Sequence, residues 1–64
     1  MTSQDERRRR LRHDLRTPLT IVAGFAEVLA ADRVISETDR REFATRIHDA
    51  ANEIRRLIDE ALED

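Results

Sequence analysis

No cysteine occurs in this sequence, which removes disulfides and thiolate metal sites. Two histidines without thiols beside them do not assemble a structural zinc centre. One glycine, Gly24, and one proline, Pro18, leave almost no turn punctuation, so β-strands and hairpins of strands have no support. No Gly-rich loop is available to cradle nucleotide phosphates. Tryptophan and tyrosine are absent, and lysine is too: all 12 basic residues are arginine, for which the sequence gives no physical reason. There is also no long apolar run. The longest, "IVAGFAEVLAA", is broken by Glu27 and is too short and too charged to span a bilayer. Asp5 and Glu6 precede the first arginines with no apolar segment behind them, so the start is not a signal peptide. A cytoplasmic location is the expectation. The net charge of −2 lacks the positive excess of a nucleic-acid binder.

What is present favours long helices. The chain is 41% charged and 39% hydrophobic, and Ala, Leu, Glu, Arg and Ile dominate it. Its 64 residues make a single small unit, 1–64, that buries too little apolar surface to be stable alone. With disulfides and metals removed, oligomerisation is the remaining source of stability.

The spacing predicts two helices. Ser3 with Glu6 three residues on forms a capping box, so the first helix is expected over about residues 4–31. Its apolar residues Leu11, Leu15, Pro18, Val22, Phe25 and Leu29 follow a 4-3 rhythm, a heptad with Leu11 at d and Leu15 at a. Leu19 and Ala26 add an e-type row that widens the stripe. "DRVISETD" loses the period and reads as a loop, and either Ser36 or Thr38 can cap the next helix. That second helix, about 38–63, repeats the rhythm with Phe43, Ile47, Ala50, Ile54, Leu57 and Ala61, and Ala44, Ala51 and Ile58 form its e-type row. The fold class is therefore all-α: an antiparallel helical hairpin, closed by pairing with a second copy into a homodimeric four-helix bundle.

The stretch "LRHDLRTPLT" departs from this regularity. With about 100° per residue, His13 falls opposite the Leu11–Leu15 seam, at the outermost f position. Thr17 follows one turn on, Thr20 and Gly24 extend the same solvent side, and Arg16 lies at i+3. An exposed histidine with small residues beyond it is a reachable nucleophile with room for a docking partner, and Arg16, Thr20 and Gly24 are the expected partner-binding positions. Asp14 is placed to hold one ring proton and raise the basicity of the other nitrogen. Pro18 has no N–H, so the carbonyl of Asp14 loses its helical partner and Thr17 is biased away from ideal helix geometry. The expected bend falls in the turn bearing His13, Asp14 and Thr17.

"HDLRTPL" within this helix-loop-helix setting resembles the phosphoacceptor motif of the dimerisation and histidine-phosphotransfer domain of bacterial sensor histidine kinases, at every position. The segment "REFATRIHDAANEIRRLIDEAL" is similar to that domain's second helix. The resemblance implies that His13 accepts the γ-phosphoryl group of ATP from a separate ATP-binding domain and passes it to an aspartate on a response-regulator receiver domain, with Mg²⁺ held there. It implies that Asp14 orients and activates the imidazole, that Thr17 helps position water in dephosphorylation, and that Pro18 is a signalling bend. ATP and Mg²⁺ would be bound through partner domains, and none by this chain.

Two features depart from the family pattern. The residues before the histidine are usually apolar or small, with an aromatic about two turns upstream, whereas here Arg7 to Arg10 and Arg12 stand there. No ATP-binding domain is recognisable within the chain, so the resemblance implies the phosphoacceptor half of a kinase and not an autonomous one. A stand-alone or split phosphotransfer protein phosphorylated in trans is the alternative, and a degenerate dimerisation module a second. A helix-turn-helix DNA binder would need a short glycine-containing turn and a basic second helix, and the sequence has neither. The arginine run reads as a solvated helix face, because Asp5 and Glu6 dilute it and no aromatic stands nearby to stack on bases. His48, at a b position, reads as plain surface, and Phe25 and Phe43 as core.

Overall fold

The computed structural model describes residues 3–63, and these form two helices and a loop. Helix α1 spans Ser3–Ala30 and helix α2 spans Glu37–Ala61. Both are slightly displaced from expectation. Ser3 is the first helical residue of α1 and not the residue before it; Thr2, which precedes it, lies outside the described residues. Asp5 and Glu6 still occupy the first turn, where carboxylates suit the positive helix end. At the far end, α1 stops at Ala30, where the Ala31 N–H is shared between the carbonyls of Glu27 and Val28 at 3.0 and 3.3 Å.

Ser36, not Thr38, caps α2. Its backbone is extended (φ −64°, ψ 155°), and its hydroxyl accepts the Asp39 N–H at 3.0 Å. This satisfies one of the orphan donors of the first turn. The loop is consequently 31–36, shorter than the "DRVISETD" reading, and Glu37 and Thr38 belong to the helix. Helix α2 ends two residues earlier than expected, with Leu62 as C-cap donating its N–H to the Ile58 carbonyl at 3.1 Å.

The heptad seam packs as read. Phe25 and Phe43 meet with ring centroids 5.1 Å apart, tilted by 33°. One heptad back from Phe25 is Pro18, and one heptad on from Phe43 is Ala50; these two are the buried residues among those described. A further heptad in each direction gives Leu11 and Leu57, which line one groove together. Helix α1 continues as one helix through Pro18.

The molecule measures 50 × 18 × 11 Å. Its thinnest dimension is about one helix diameter, so two helices lie side by side with nothing over either flank. The e-type row shows the consequence. Leu19 is 51% exposed and Ile58 38%, and Ala26, Ala44 and Ala51 are exposed as well. The hairpin covers its a/d seam and leaves the e row open on one flank.

Candidate functional site

His13 and Asp14 sit mid-helix in α1, a regular backbone that fixes where each side chain leaves it. The His13 side chain is 84% exposed, as its f position requires. Its Nδ1 lies 3.4 Å from Oδ1 of Asp14, whose side chain is 42% exposed. That separation is longer than a well-formed hydrogen bond and close enough to tighten into one when a substrate is bound. With Nδ1 directed at the carboxylate, Nε2 is the nitrogen left facing outward.

The helix then divides the expected site residues into two groups. Asp14, Thr17 and Pro18 line a groove of about 440 Å³ together with Ile21 and Phe25 of α1 and Arg46, Asp49, Ala50 and Glu53 of α2. His13, Arg16, Thr20 and Gly24 lie outside it, on the exposed outer surface. Thr17 therefore stands between the phosphoacceptor side and the groove. Of the two threonines beside His13, Thr20 has its hydroxyl tied back into the helix, donating to the Arg16 carbonyl at 2.8 Å.

Sequence reasoning missed the α2 wall of this groove. Arg46, Asp49 and Glu53 sit at g and c positions of the α2 heptad, as Asp14, Ile21 and Thr17 do on α1. The signal was present in the shared heptad frame, but only the Phe25–Phe43 register says which flanking residues meet. A second groove of about 490 Å³ continues beside Leu11 and Leu57, with Arg7, Arg10 and Asp14 on one wall and Arg56, Glu60 and Glu63 on the other.

Arg56 bridges these two grooves. Its Nε donates to Glu53 at 3.1 Å, and its two terminal nitrogens engage Glu53 and Glu60. The hydrogen bond from Arg56 holds the Glu53 carboxyl below its ordinary value, and Glu53 in turn raises Arg56. The sequence reading missed this network, although its spacings of three and four residues are those of helix-face pairs.

His48 supplies an internal comparison. It too is followed by an aspartate, with Nδ1 3.8 Å from Oδ1 of Asp49, and Asn52 approaches the same nitrogen at 3.4 Å. Nothing in its surroundings departs from a solvated surface.

The model of the His Kinase A (phospho-acceptor) domain family matches residues 9–64. The chain belongs to that family. No curated protein and no solved structure matches it. Membership gives the His Kinase A domain its general role as a phosphoacceptor module of histidine kinases and two-component signalling. It also implies dimerisation and a kinase partner domain, and the open e row of this His Kinase A domain is an unpaired surface of the kind such a dimer covers. Among the described residues, no helix is long and apolar enough to cross a membrane, and no group of three or more His, Asp or Glu is placed to hold a metal.

Proposed function

We propose that this chain is the phosphoacceptor and dimerisation module of a two-component sensor histidine kinase, carrying the phosphoryl group on His13 Nε2. The observation that bears most weight is the exposed His13 with its Nδ1 turned to Asp14, in a chain matched by the family model from residue 9 onward.

Asp14 keeps the Nδ1 proton in place, which leaves the Nε2 lone pair free. That lone pair forms a bond to the γ-phosphorus of ATP as the bridging P–O bond breaks and ADP departs with the electron pair. Asp14 stabilises the positive charge that develops on the ring. In the second transfer the N–P bond breaks and an aspartate oxygen of a response-regulator receiver takes the phosphoryl group. ATP is brought by a separate ATP-binding domain, and Mg²⁺ serves in the partner domains. In this reading Thr17, on the groove side of His13, orients a water in regulator dephosphorylation. Arg16, Thr20 and Gly24 form the outer surface that a partner crosses to reach His13. Two copies pair through Leu19, Ala26, Ala44, Ala51 and Ile58, closing a four-helix bundle with both histidines outward. The setting is cytoplasmic.

A second reading, a phosphotransfer protein served by a kinase in trans, has one supporting feature: Arg8 stands at the a position where a coil entering from an upstream sensor would be apolar. Both readings require His13 to be modified. Supplying ATP and a compatible ATP-binding domain must place phosphate on the chain, and His13→Gln must abolish it. Labelling of the variant equal to the parent refutes both.

A further inference from the structure

We propose that Arg56 and Glu53 of α2 are positioning residues for Asp14 and, through it, for His13. The arginine keeps the facing glutamate turned along its own helix, which leaves the Asp14 carboxylate free to hold the imidazole. This rests on the phosphoacceptor reading of His13 and adds to it the part played by the second helix.

The helix register brings these residues together. Phe25 meets Phe43, and the heptads running through that contact set Pro18 beside Ala50 and Leu11 beside Leu57. On each helix the g position flanks this row. Asp14 is the g residue between Leu11 and Pro18, and Glu53 is the g residue between Ala50 and Leu57. They line one groove together. Arg56 shares the adjoining groove with Asp14. Counted along the axis from the paired row, Glu53 stands about 1.5 Å from the level of Asp14 on one side and Arg56 about 3 Å on the other. Of the described residues lining these two grooves, Asp14 alone belongs to both.

Two carboxylates facing each other across a seam each disfavour the ionised form of the other. Here the α2 carboxylate is already engaged. Arg56 Nε donates to Glu53 at 3.1 Å, and its terminal nitrogens take Glu53 and Glu60. These bonds hold the Glu53 carboxyl below its ordinary value and tie it along α2 instead of across the groove.

The other charged groups on the grooves do not replace Arg56. On α2, Arg46 is paired with Glu42, and Asp49 lies 3.8 Å from His48. Glu60 takes the other arm of Arg56, and Glu63 adds one more negative charge. On α1, Arg10 and Arg7 stand one and two turns before Asp14 and favour its carboxylate from that side. The second His-Asp pair has no such arrangement. Asp49 is a c residue, one row further from the seam, and the c residue level with it on α1 is the uncharged Thr17.

Loss of Arg56 leaves Glu53 and Glu60 uncompensated beside Asp14. Asp14 and His13 then both take up protons more readily, so less of the chain has a charged Asp14 beside an unprotonated Nε2. Labelling must therefore fail at a higher pH. The groups are open to solvent, which keeps the effect modest.

The test uses phosphoramidate, a small donor that needs no ATP-binding domain and so separates this effect from domain docking. The imidazole Nε2 forms the new N–P bond as the donor's own N–P bond breaks, and ammonia leaves from the donor's protonated nitrogen with the electron pair. Labelling rates of the full chain are read by ³¹P NMR across the range in which histidine titrates, with helix content checked by circular dichroism. Arg56→Gln is expected to move the acid limb up by about 0.3–0.5 pH unit at low salt, and the shift should shrink as salt is raised. Glu53→Gln should move the limb down, a direction that loss of folding does not mimic. The double variant should return toward the parent. Arg55→Gln, the same charge change on the next residue, which lines neither groove, should shift the limb by less than half as much. An unmoved limb in Arg56→Gln, an equal shift in Arg55→Gln, or a double variant that stays displaced overturns the proposal. If His13→Gln labels as well as the parent, the phosphoacceptor reading itself has failed instead.

Discussion

Phe25 of α1 and Phe43 of α2 stack at a centroid separation of 5.1 Å, and this contact sets the register that brings Pro18 level with Ala50. Neither ring is fully buried, so each gives less than a core phenylalanine. Phe43→Ala is expected to destabilise the hairpin by about 2 kcal/mol, read from urea unfolding. A loss below about 0.5 kcal/mol would mean that the register is held elsewhere.

The e row makes a separate prediction about assembly. Leu19 and Ile58 are the large apolar side chains of that row left exposed by the hairpin. Leu19→Glu or Ile58→Glu should convert a dimer to a monomer or unfolded chain in light scattering, and the parent's melting temperature should rise with protein concentration. A parent that is a folded monomer at all concentrations contradicts the bundle.

Gly24 sits in the interior of α1 with ordinary helical backbone, and a Cβ built there meets nothing within 4 Å. Gly24→Ala should therefore stabilise the protein by about 0.5–1 kcal/mol in thermal unfolding, by removing the flexibility of an interior glycine. A partner surface that needs close approach at this point would show separately, as weaker regulator binding in the stabilised variant.

Arg56 gives a pH dependence whose sign is fixed by Glu53. The folded-state pKa of Glu53 is lowered, chiefly by the hydrogen bond from Arg56, so the carboxylate's contribution is present above its unfolded value and lost as pH falls through the lowered one. The group is open to solvent, so the effect is small and weakened by salt. Glu53→Gln should flatten the acid limb of the stability profile; an unchanged acid limb would show that the Arg56 pair adds nothing to stability.

Much of the fold was legible because the 4-3 spacing of apolar residues fixes which face of each helix is buried. Leu11, Leu15, Val22, Phe25 and Leu29 could be placed on the seam from spacing alone, and the exposure of His13 follows from the same phase. The cap of α2 was not decidable, since Ser36 and Thr38 both carry suitable hydroxyls and only the backbone turn at Ser36 selects one. The end of α2 was over-extended because Leu62 and Glu63 keep helical character in the sequence while the chain closes its last turn at Leu62. The groove walls at Arg46, Asp49 and Glu53 depend on how two helices meet sideways. Each helix's own periodicity is silent on that until the Phe25–Phe43 contact fixes it.

The central claim is that His13 carries the phosphoryl group, and its most direct measurement is the chemistry of the labelled chain. After incubation with ATP and a compatible ATP-binding domain, the chain should hold phosphate that is lost in acid and retained in base, as a phosphoramidate is, and peptide mapping should place it on the segment bearing His13. His13→Gln should remove the label and His48→Gln should not. Acid-stable phosphate, or a label that persists in His13→Gln, would contradict the claim.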